Sequence, residues 1–296
     1  MNKTITNWLL FGLLSITWGS SFILMKIGLI NHLSPFDIAS LRILSSGIAL
    51  LPVALRVINR FAAKELRLIF LYGALGNLIP AYLFCIAEQR IDSALAAMIN
   101  SLTPIFVIVT GALLFGIKTD ANKTVGIIIA YAGSVLLLFS KNNLKESHDI
   151  SYGLFAVAAT ISYGCNVNMV SKKLLHIPSL HIAAVALFLN SIPALFVLLI
   201  TGFFNLPLLQ QDYLLGTLAS CCLGVFGTAI ANIWFYSLVK SAGGIFASMV
   251  SYGIPFIAIG WGIYYNESVG WKQVVCLLII LSGVYYANIK KNKAAQ

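Results

Sequence analysis

Charge is what this 296-residue chain has least of: Asp, Glu, Lys and Arg together make up 9% of it, against roughly 25% in an average soluble domain. That scarcity excludes an ordinary water-soluble globular domain. Acids are the rarer sign, 9 against 19 bases. They are Asp37, Glu65, Glu88, Asp92, Asp120, Glu146, Asp149, Asp212 and Glu267, and none falls in the middle of an apolar run. The four histidines, His32, His148, His176 and His181, lie at the ends of such runs or between them. No paired carboxylates or His/acid clusters are therefore expected at one depth, so neither a metal site nor an acid–base catalytic centre is expected. Ser20-Ser21 after Gly19 faintly echoes a nucleophile motif but has no histidine within the runs to activate it. No Gly-Lys-Ser/Thr phosphate loop is present, which argues against nucleotide-driven pumping; no cofactor is expected. The five cysteines, Cys85, Cys165, Cys221, Cys222 and Cys276, are odd in number and scattered through apolar runs, which argues against a disulfide framework.

What the chain has in abundance is long apolar segments. Hydrophobic residues make up 59% of it and its mean hydropathy is +0.92. Stretches of about 20 apolar residues, each enough to cross a hydrocarbon core of ~30 Å, recur at 8–30, 36–58, 66–87, 94–115, 123–140, 152–171, 181–202, 214–238, 243–264 and 269–289. They are too long and too continuous for the alternating strands of a membrane barrel. The expected class is an all-α integral membrane protein with ten transmembrane helices. The first run continues past Trp18 with no small-residue cleavage site, so it reads as an uncleaved span and not a secretory signal.

The net charge of +10 needs no nucleic-acid partner, because the bases sit between the runs. Lys3, Arg56, Arg60, Lys64, Arg67, Lys118, Lys123, Lys172, Lys173, Lys240, Lys290, Lys291 and Lys293 fall on one side, and Arg90, Lys141, Lys145 and Lys272 on the other. By the positive-inside rule this bias puts both termini in the cytoplasm.

The two halves of the chain correspond. Ser93-Ala94-Leu95-Ala96-Ala97-Met98, Thr103-Pro104-Ile105-Phe106 and Phe115-Gly116-Ile117-Lys118 run parallel to Gly244-Ile245-Phe246-Ala247-Ser248-Met249, Ile254-Pro255-Phe256-Ile257 and Tyr265-Asn266-Glu267-Ser268. Ala132-Gly133-Ser134-Val135 matches Ser282-Gly283-Val284-Tyr285, and Trp18-Gly19 matches Tyr163-Gly164. The unit is five spans, an odd number, so the second copy is inverted relative to the first. The expected domains are a first repeat at 1–145, an inverted second repeat at 150–290 and a cytoplasmic tail at 291–296. Inverted repeats of this kind mark secondary transporters, whose solute site lies near the midplane between the halves.

These motifs resemble the drug/metabolite transporters of the EamA type, ten-span permeases of two inverted five-span repeats. The resemblance runs through Trp18-Gly19-Ser20-Ser21-Phe22, Ser34-Pro35 with Arg42, Ser93-Ala94 through Pro104, and Ser251-Tyr252-Gly253-Ile254-Pro255 with Glu267. Members of that family usually carry Gly-Glu at the ends of spans four and nine. Here the first copy reads Gly116-Ile117, without the glutamate, and the second Asn266-Glu267. The resemblance implies a cytoplasmic (inner) membrane transporter of small metabolites, amino acids or similar solutes among them.

Candidate site residues follow from the cost of polarity in a bilayer. A charge at a helix centre costs roughly 2.5–3.5 kcal/mol on insertion scales, and only Lys26 and Arg42 stand clearly inside apolar runs. Both fall near the outer ends of their spans, where they can face each other in a vestibule and attract a carboxylate. The plainer alternatives are that Lys26 snorkels to the headgroups and that Arg42 pairs with Asp37 or Glu88. Asn77, Asn100, Asn166, Asn168, Asn190 and Asn232 lie within spans, with Ser20, Ser21, Ser248 and Ser251. About half of these amides are expected to line a cavity and the rest to join helices. Trp18, Tyr82, Tyr163, Trp234, Tyr236 and Tyr252 are candidate cavity walls, whereas Trp8, Trp261 and Trp271 fit the interfacial belt. Pro80, Pro104 and Pro255 are candidate kinks or hinges, since proline lacks an N–H. The substrate-binding set is thus Trp18, Ser20, Lys26, Arg42, Asn77, Tyr82, Asn100, Asn166, Asn190, Asn232, Trp234 and Tyr252. For proton coupling the candidate is Glu88, whose plainer reading is a solvated cap beside Arg90 and Asp92. Coupled and facilitated mechanisms both stay open. The small residues Gly126, Ala130, Gly133 and Gly283 mark spans five and ten as scaffold or a homodimer face. The expected function is a secondary transporter moving a small-molecule solute across the lipid bilayer by alternating access. The alternatives are a channel-like passive facilitator and, more distantly, a multispan membrane enzyme.

Overall fold

The computed structural model describes residues 3–117, 121–138, 148–267 and 269–288, and among them every regular element is a helix. We number the spans α1 (Lys3–Ile30), α2 (Pro35–Val57), α3 (Ala63–Ala87), α4 (Ser93–Phe115), α5 (Ala121–Leu138), α6 (His148–Lys173), α7 (Ser179–Ile200), α8 (Gln211–Ala242), α9 (Gly244–Tyr264) and α10 (Trp271–Asn288). Eight of them are long and apolar enough to cross a membrane, and the apolar stretches of α5 and α10, Thr124–Leu137 and Trp271–Tyr286, are shorter. Where ten spans are expected, the described residues thus give eight such helices and two shorter apolar ones. The boundary expected between the halves and the tail at 291–296 lie outside the described residues, as do Lys118, Asp120, Lys141, Lys145, Glu146, Lys290, Lys291 and Lys293 and the side chains of Lys3, Lys123, His148 and Asp149.

Helix ends follow local chemistry. Ser34 caps α2 in a capping box with Asp37, and Pro35 opens the helix where its missing N–H has no intrahelical role. The first segment of α4 stops at Asn100, and Thr103–Phe115 begins a second, ending on Gly116 at φ 61°. In the partner half α9 is broken likewise, with a 3₁₀ stretch over Met249–Tyr252 between Gly244–Ser248 and Ile254–Tyr264. Two further spans widen into π-helix at their middles, α3 over Ala74–Leu78 and α8 over Leu223–Ile230. Pro104 and Pro255 are therefore not kinks inside continuous helices: each is the second residue of a half-helix that restarts after a break, where no intrahelical donor is needed. Pro80 stands two residues past the π stretch, inside the continuous α3. Pro52 and Pro193 also sit inside helices.

The duplication is visible in the packing. A Cβ on Gly19 of α1 would stand 2.5 Å from Ile257 Cβ of α9, and one on Gly164 of α6 would stand 2.6 Å from the Phe106 carbonyl carbon of α4. Gly133 of α5 abuts Ile280 of α10, and Gly283 of α10 abuts Ala130 of α5, in the same reciprocal way. The small-residue faces of these two spans are thus used within the chain. His32, after α1, meets Asp212 of α8 at 3.9 Å, and His176, after α6, meets Glu65 of α3 at 3.7 Å. These are one contact in two copies on opposite ends of the bundle, as inverted repeats require. Four groupings result: α3 and α4 both pack on α6, α1, α8 and α9 pack together, and α2 with α7 and α5 with α10 form two flanking pairs.

Candidate functional site

The α3/α4/α6 and α1/α8/α9 groups enclose a cavity with about 70 Å³ open to the centre of a water molecule, several times the ~10–15 Å³ that one buried water needs. Part of its lining comes from the irregular segments. The π stretches contribute Gly76, Asn77 and Gly227, the break in α4 contributes Asn100 and Thr103, and the 3₁₀ region of α9 contributes Ser248 and Ser251. This placement has a physical reason. Interrupted helices leave backbone groups unpaired, and a membrane protein tolerates them only where a cavity or neighbour satisfies them. Trp18 supplies one such partner, its Nε1 donating to the Gly227 carbonyl at 3.0 Å.

Arg42 reaches the cavity from α2 while only 6% exposed. Its Nε donates to Thr228 Oγ1 at 2.8 Å, its Nη1 lies 4.0 Å from Met25 Sδ, and the Tyr163 hydroxyl lies beside it. Of the two carboxylates expected as its plain partners, Glu88 feels its charge but forms no ion pair with it among the described residues, and Asp37 is occupied elsewhere. Asp37 accepts from Ser34 and, at 2.6 Å, from Thr201 Oγ1. Among the described residues Arg42 forms no ion pair, so a guanidinium with five donors faces a buried cavity with only hydroxyl oxygens, those of Thr228 and Tyr163, beside it.

Four of the six asparagines line the same cavity. Asn232 Nδ2 donates to Asn77 Oδ1 at 2.5 Å, joining α8 to α3. Asn166 Nδ2 donates to the Tyr72 carbonyl at 2.8 Å, and Asn100 Oδ1 accepts from Thr103 Oγ1 at 3.3 Å. The other two join helices: Asn168 bonds to Val107, Thr110 and Gly164, and Asn190 to Ala186 and Phe70. Apolar walls come from Phe22, Phe84 and Phe235, with Tyr163.

The structure thus brings Trp18, Arg42, Asn77, Asn100, Asn166 and Asn232 together, and places the remaining candidates outside the lining. Ser20 Oγ accepts from Trp261 Nε1 at 2.8 Å, and Tyr82 Oη shares a hydrogen bond of 2.7 Å with Ser40. Trp234 and Tyr252 pack on the apolar cores. Lys26 is half-buried outside the cavity lining, and its charge is felt by Glu88. Glu88 is not a solvated cap, since it is completely buried. Sequence reasoning missed Thr103, Thr228, Gly76 and Gly227. The glycines carried a signal, as small residues in apolar runs permit close approach; the threonines carried none.

Residues 6–139 and 150–289 match the EamA-like transporter family. An uncharacterized transporter of Archaeoglobus fulgidus is 28% identical over 281 residues, covering 94% of this chain and 97% of its own. The uncharacterized inner membrane transporter YedA of Escherichia coli is 28% identical over 83% of this chain and 78% of its own. A probable amino-acid metabolite efflux pump of Salmonella typhimurium is 25% identical over 90% and 81%. One solved crystal structure superposes with a TM-score of 0.68 at 15% identity over 98% of this chain and 99% of that one, a likeness in fold.

Proposed function

We propose that this chain, which belongs to the EamA-like transporter family, is a secondary transporter whose solute is a small carboxylate-bearing metabolite, held between its two halves and released by alternating access. That it is a multi-pass membrane transporter is the coarser statement on which the proposal builds. The observation that carries this reading is Arg42, a buried guanidinium that forms no ion pair among the described residues and faces a cavity lined by amides and aromatic rings. Arg matches a carboxylate in planar two-point geometry. The amides suit a second polar group such as an amine or hydroxyl, and Phe22, Phe84 and Phe235 suit an apolar side chain. Amino acids and their close derivatives have this constitution, and the name of the Salmonella relative points to the same class. The inner membrane is the expected location, with both termini in the cytoplasm, in keeping with the charge bias and with the name of the Escherichia coli relative.

In this reading Trp18, Arg42, Asn77, Asn100, Asn166 and Asn232 contact the solute. The breaks in α4 and α9 serve as the places where the two groups flex. The test is counterflow in proteoliposomes: vesicles preloaded with one unlabelled amino acid should transiently accumulate its labelled form, saturably and competitively. Flux that is linear in concentration and blind to trans solute would instead support the channel-like alternative. A membrane enzyme draws the least support, because the relatives carry transporter names.

A further inference from the structure

The turn that follows α9 holds an acid whose role the solute cavity does not explain. Asn266 adopts φ 59°, and the amide of Glu267 bonds back to the Gly262 carbonyl at 2.8 Å. This aims the Glu267 carboxylate across the bundle at the start of α4. Its Oε1 accepts from the Ser93 amide and its Oε2 from the Ala94 amide, both at 3.1 Å. A negative charge is favoured at a helix N-terminus, where first-turn amides lack partners. Because α9 and α4 belong to different helix groups, the contact ties the groups together at one face. Glu88 sits in the same place, 0% exposed, with Oε2 3.4 Å from Ser93 Oγ and Oε1 without a partner. Ser93 therefore serves both carboxyl groups, its amide one and its hydroxyl the other. The charged groups felt by Glu88 are Lys26 from α1, Arg42 from α2 and Glu267 beyond α9. Glu88 lies one residue past the end of α3. There burial holds its carboxyl well above the usual carboxylate range, Glu267 adds to this, and Lys26 and Arg42 oppose it.

We propose that Glu88 and Glu267 form a proton-binding latch at this face, closed when the pair holds one proton on Glu88 and opened when that proton leaves to solvent. With Glu88 neutral, Ser93 joins a carboxylic acid to a carboxylate and the grip of Glu267 on α4 is undisturbed. With Glu88 ionised, two negative charges flank one serine in a buried site, an arrangement that like-charge repulsion disfavours. The strain is relieved by withdrawing α9 and its turn from α4, which parts the two groups at that end of the cavity. Arg42 borders both the latch and the cavity, so a carboxylate arriving there draws on the positive charge that otherwise favours ionised Glu88. Solute binding then favours the closed, protonated latch, which links solute movement to a proton.

This inference rests on the transporter reading, and its test needs no solute. Spin labels at Gln89→Cys and Tyr265→Cys, in the full chain reconstituted in nanodiscs after replacement of the five native cysteines, report the separation across the latch. The expected result is a distance that lengthens as pH rises from about 6 to about 9, a range that spans a raised carboxyl but not an ordinary one. Glu88→Gln should hold the short distance at every pH, Glu267→Gln should give the long one at every pH, and Glu88→Asp should keep the response. A pH-independent distance in the otherwise native background, or a response retained in Glu88→Gln, overturns the latch. Since the otherwise native background alone decides the first point, a variant that misfolds does not protect the proposal. Failure here leaves counterflow untouched, whereas failure of counterflow leaves this distance measurement to stand on its own.

Discussion

Replacing Arg42 with glutamine separates two effects that are usually confounded. In the empty protein Arg42 is 6% exposed, its guanidinium meets the hydroxyls of Thr228 and Tyr163, and among the described residues it has no ion-paired carboxylate. Holding such a charge is costly, and exchanging buried ionic groups for well-packed neutral ones has stabilised proteins by about 1–4 kcal/mol. Arg42→Gln should therefore leave the solute-free protein as stable as before, or more so. The bound protein should respond in the opposite sense. A hydrogen bond to a charged group contributes about 1.5–3 kcal/mol net, so losing the Arg–carboxylate contact raises Kd roughly 10- to 100-fold. At a solute concentration of about 100 Kd the native protein gains about 2.7 kcal/mol. With Kd raised about 100-fold, the same concentration gives about 0.4 kcal/mol, by the same relation. Thermal unfolding of the purified protein, with and without amino acids, reads both quantities, and decarboxylated amines serve as the matched control. An Arg42→Gln protein that unfolds earlier when solute-free yet keeps its full solute-induced shift would refute the reasoning and return Arg42 to a structural role.

Two other perturbations follow from the packing. Thiols at Asn77→Cys and Asn232→Cys, which replace cavity-lining side chains, should react with small aqueous reagents and be protected by a bound solute; complete protection of both under all conditions would remove them from the pathway. Gly283→Ala puts a Cβ 2.5 Å from the Ala130 amide nitrogen, whereas a Cβ on Gly260 meets nothing within 4 Å. The first should lower stability by about 1–3 kcal/mol through overpacking and the second raise it by up to about 1 kcal/mol through helix propensity, and equal melting temperatures would contradict the close α5–α10 contact.

Run length alone located the spans to within a few residues, because the bilayer sets one number that every crossing helix must meet. The larger misses were at polar ends. α8 runs from Gln211 to Ala242, past the expected 214–238, because polar residues such as Asp212, Lys240 and Ser241 continue the helix beyond the apolar run. The irregular segments were only half legible. Pro104 and Pro255 marked where half-helices restart and Pro80 where a π stretch ends, but none of them told which irregularity precedes it. The site was legible by residue type and not by direction. Asn168 and Asn190 each bond the carbonyl four residues earlier, Gly164 and Ala186, and so fold back along their own helices. The cavity-lining amides make no such bond among the described residues and extend inward. A depth count assigns Arg42 its height in the bilayer, while its azimuth depends on Thr228, 186 residues away. The solvated-cap alternative for Glu88 fails because its neighbours Arg90 and Asp92 are those of a solvated loop, and only the folded chain shows it buried within reach of the charges of α1, α2 and the turn after α9.

The two repeats end these spans on related turns that differ in chemistry. Gly116 has φ 61° and Asn266 φ 59°, and the following amides bond back into their helices, Ile117 to Gly111, six residues earlier, at 2.9 Å and Glu267 to Gly262, five residues earlier, at 2.8 Å. A Cβ on Gly111 would stand 3.1 Å from Ile117 Cδ1, and one on Gly262 would stand 2.9 Å from Glu267 Oε2. With a left-handed residue and a back-bonded amide in both turns, the side chain that follows decides whether the turn grips the opposing helix. Ile117 cannot accept a hydrogen bond, so the opposite face lacks the carboxylate contact that closes the α4–α9 joint. Ile117→Glu should supply it, directing a carboxylate toward the first amides of the Gly244–Ser248 segment. A charge at a helix N-terminus is worth about 0.3–1 kcal/mol when exposed and up to about 2 kcal/mol when partly buried. That shifts a two-state equilibrium by roughly 2- to 30-fold toward closure of this second face. Spin labels placed at Lys172→Cys and Ser241→Cys should then report a larger short-distance population in Ile117→Glu than in the parent, and Ile117→Gln should fall between them. An unchanged population in Ile117→Glu would mean that the turn's side chain does not set the balance between the faces, and that the missing glutamate is a difference without a conformational consequence.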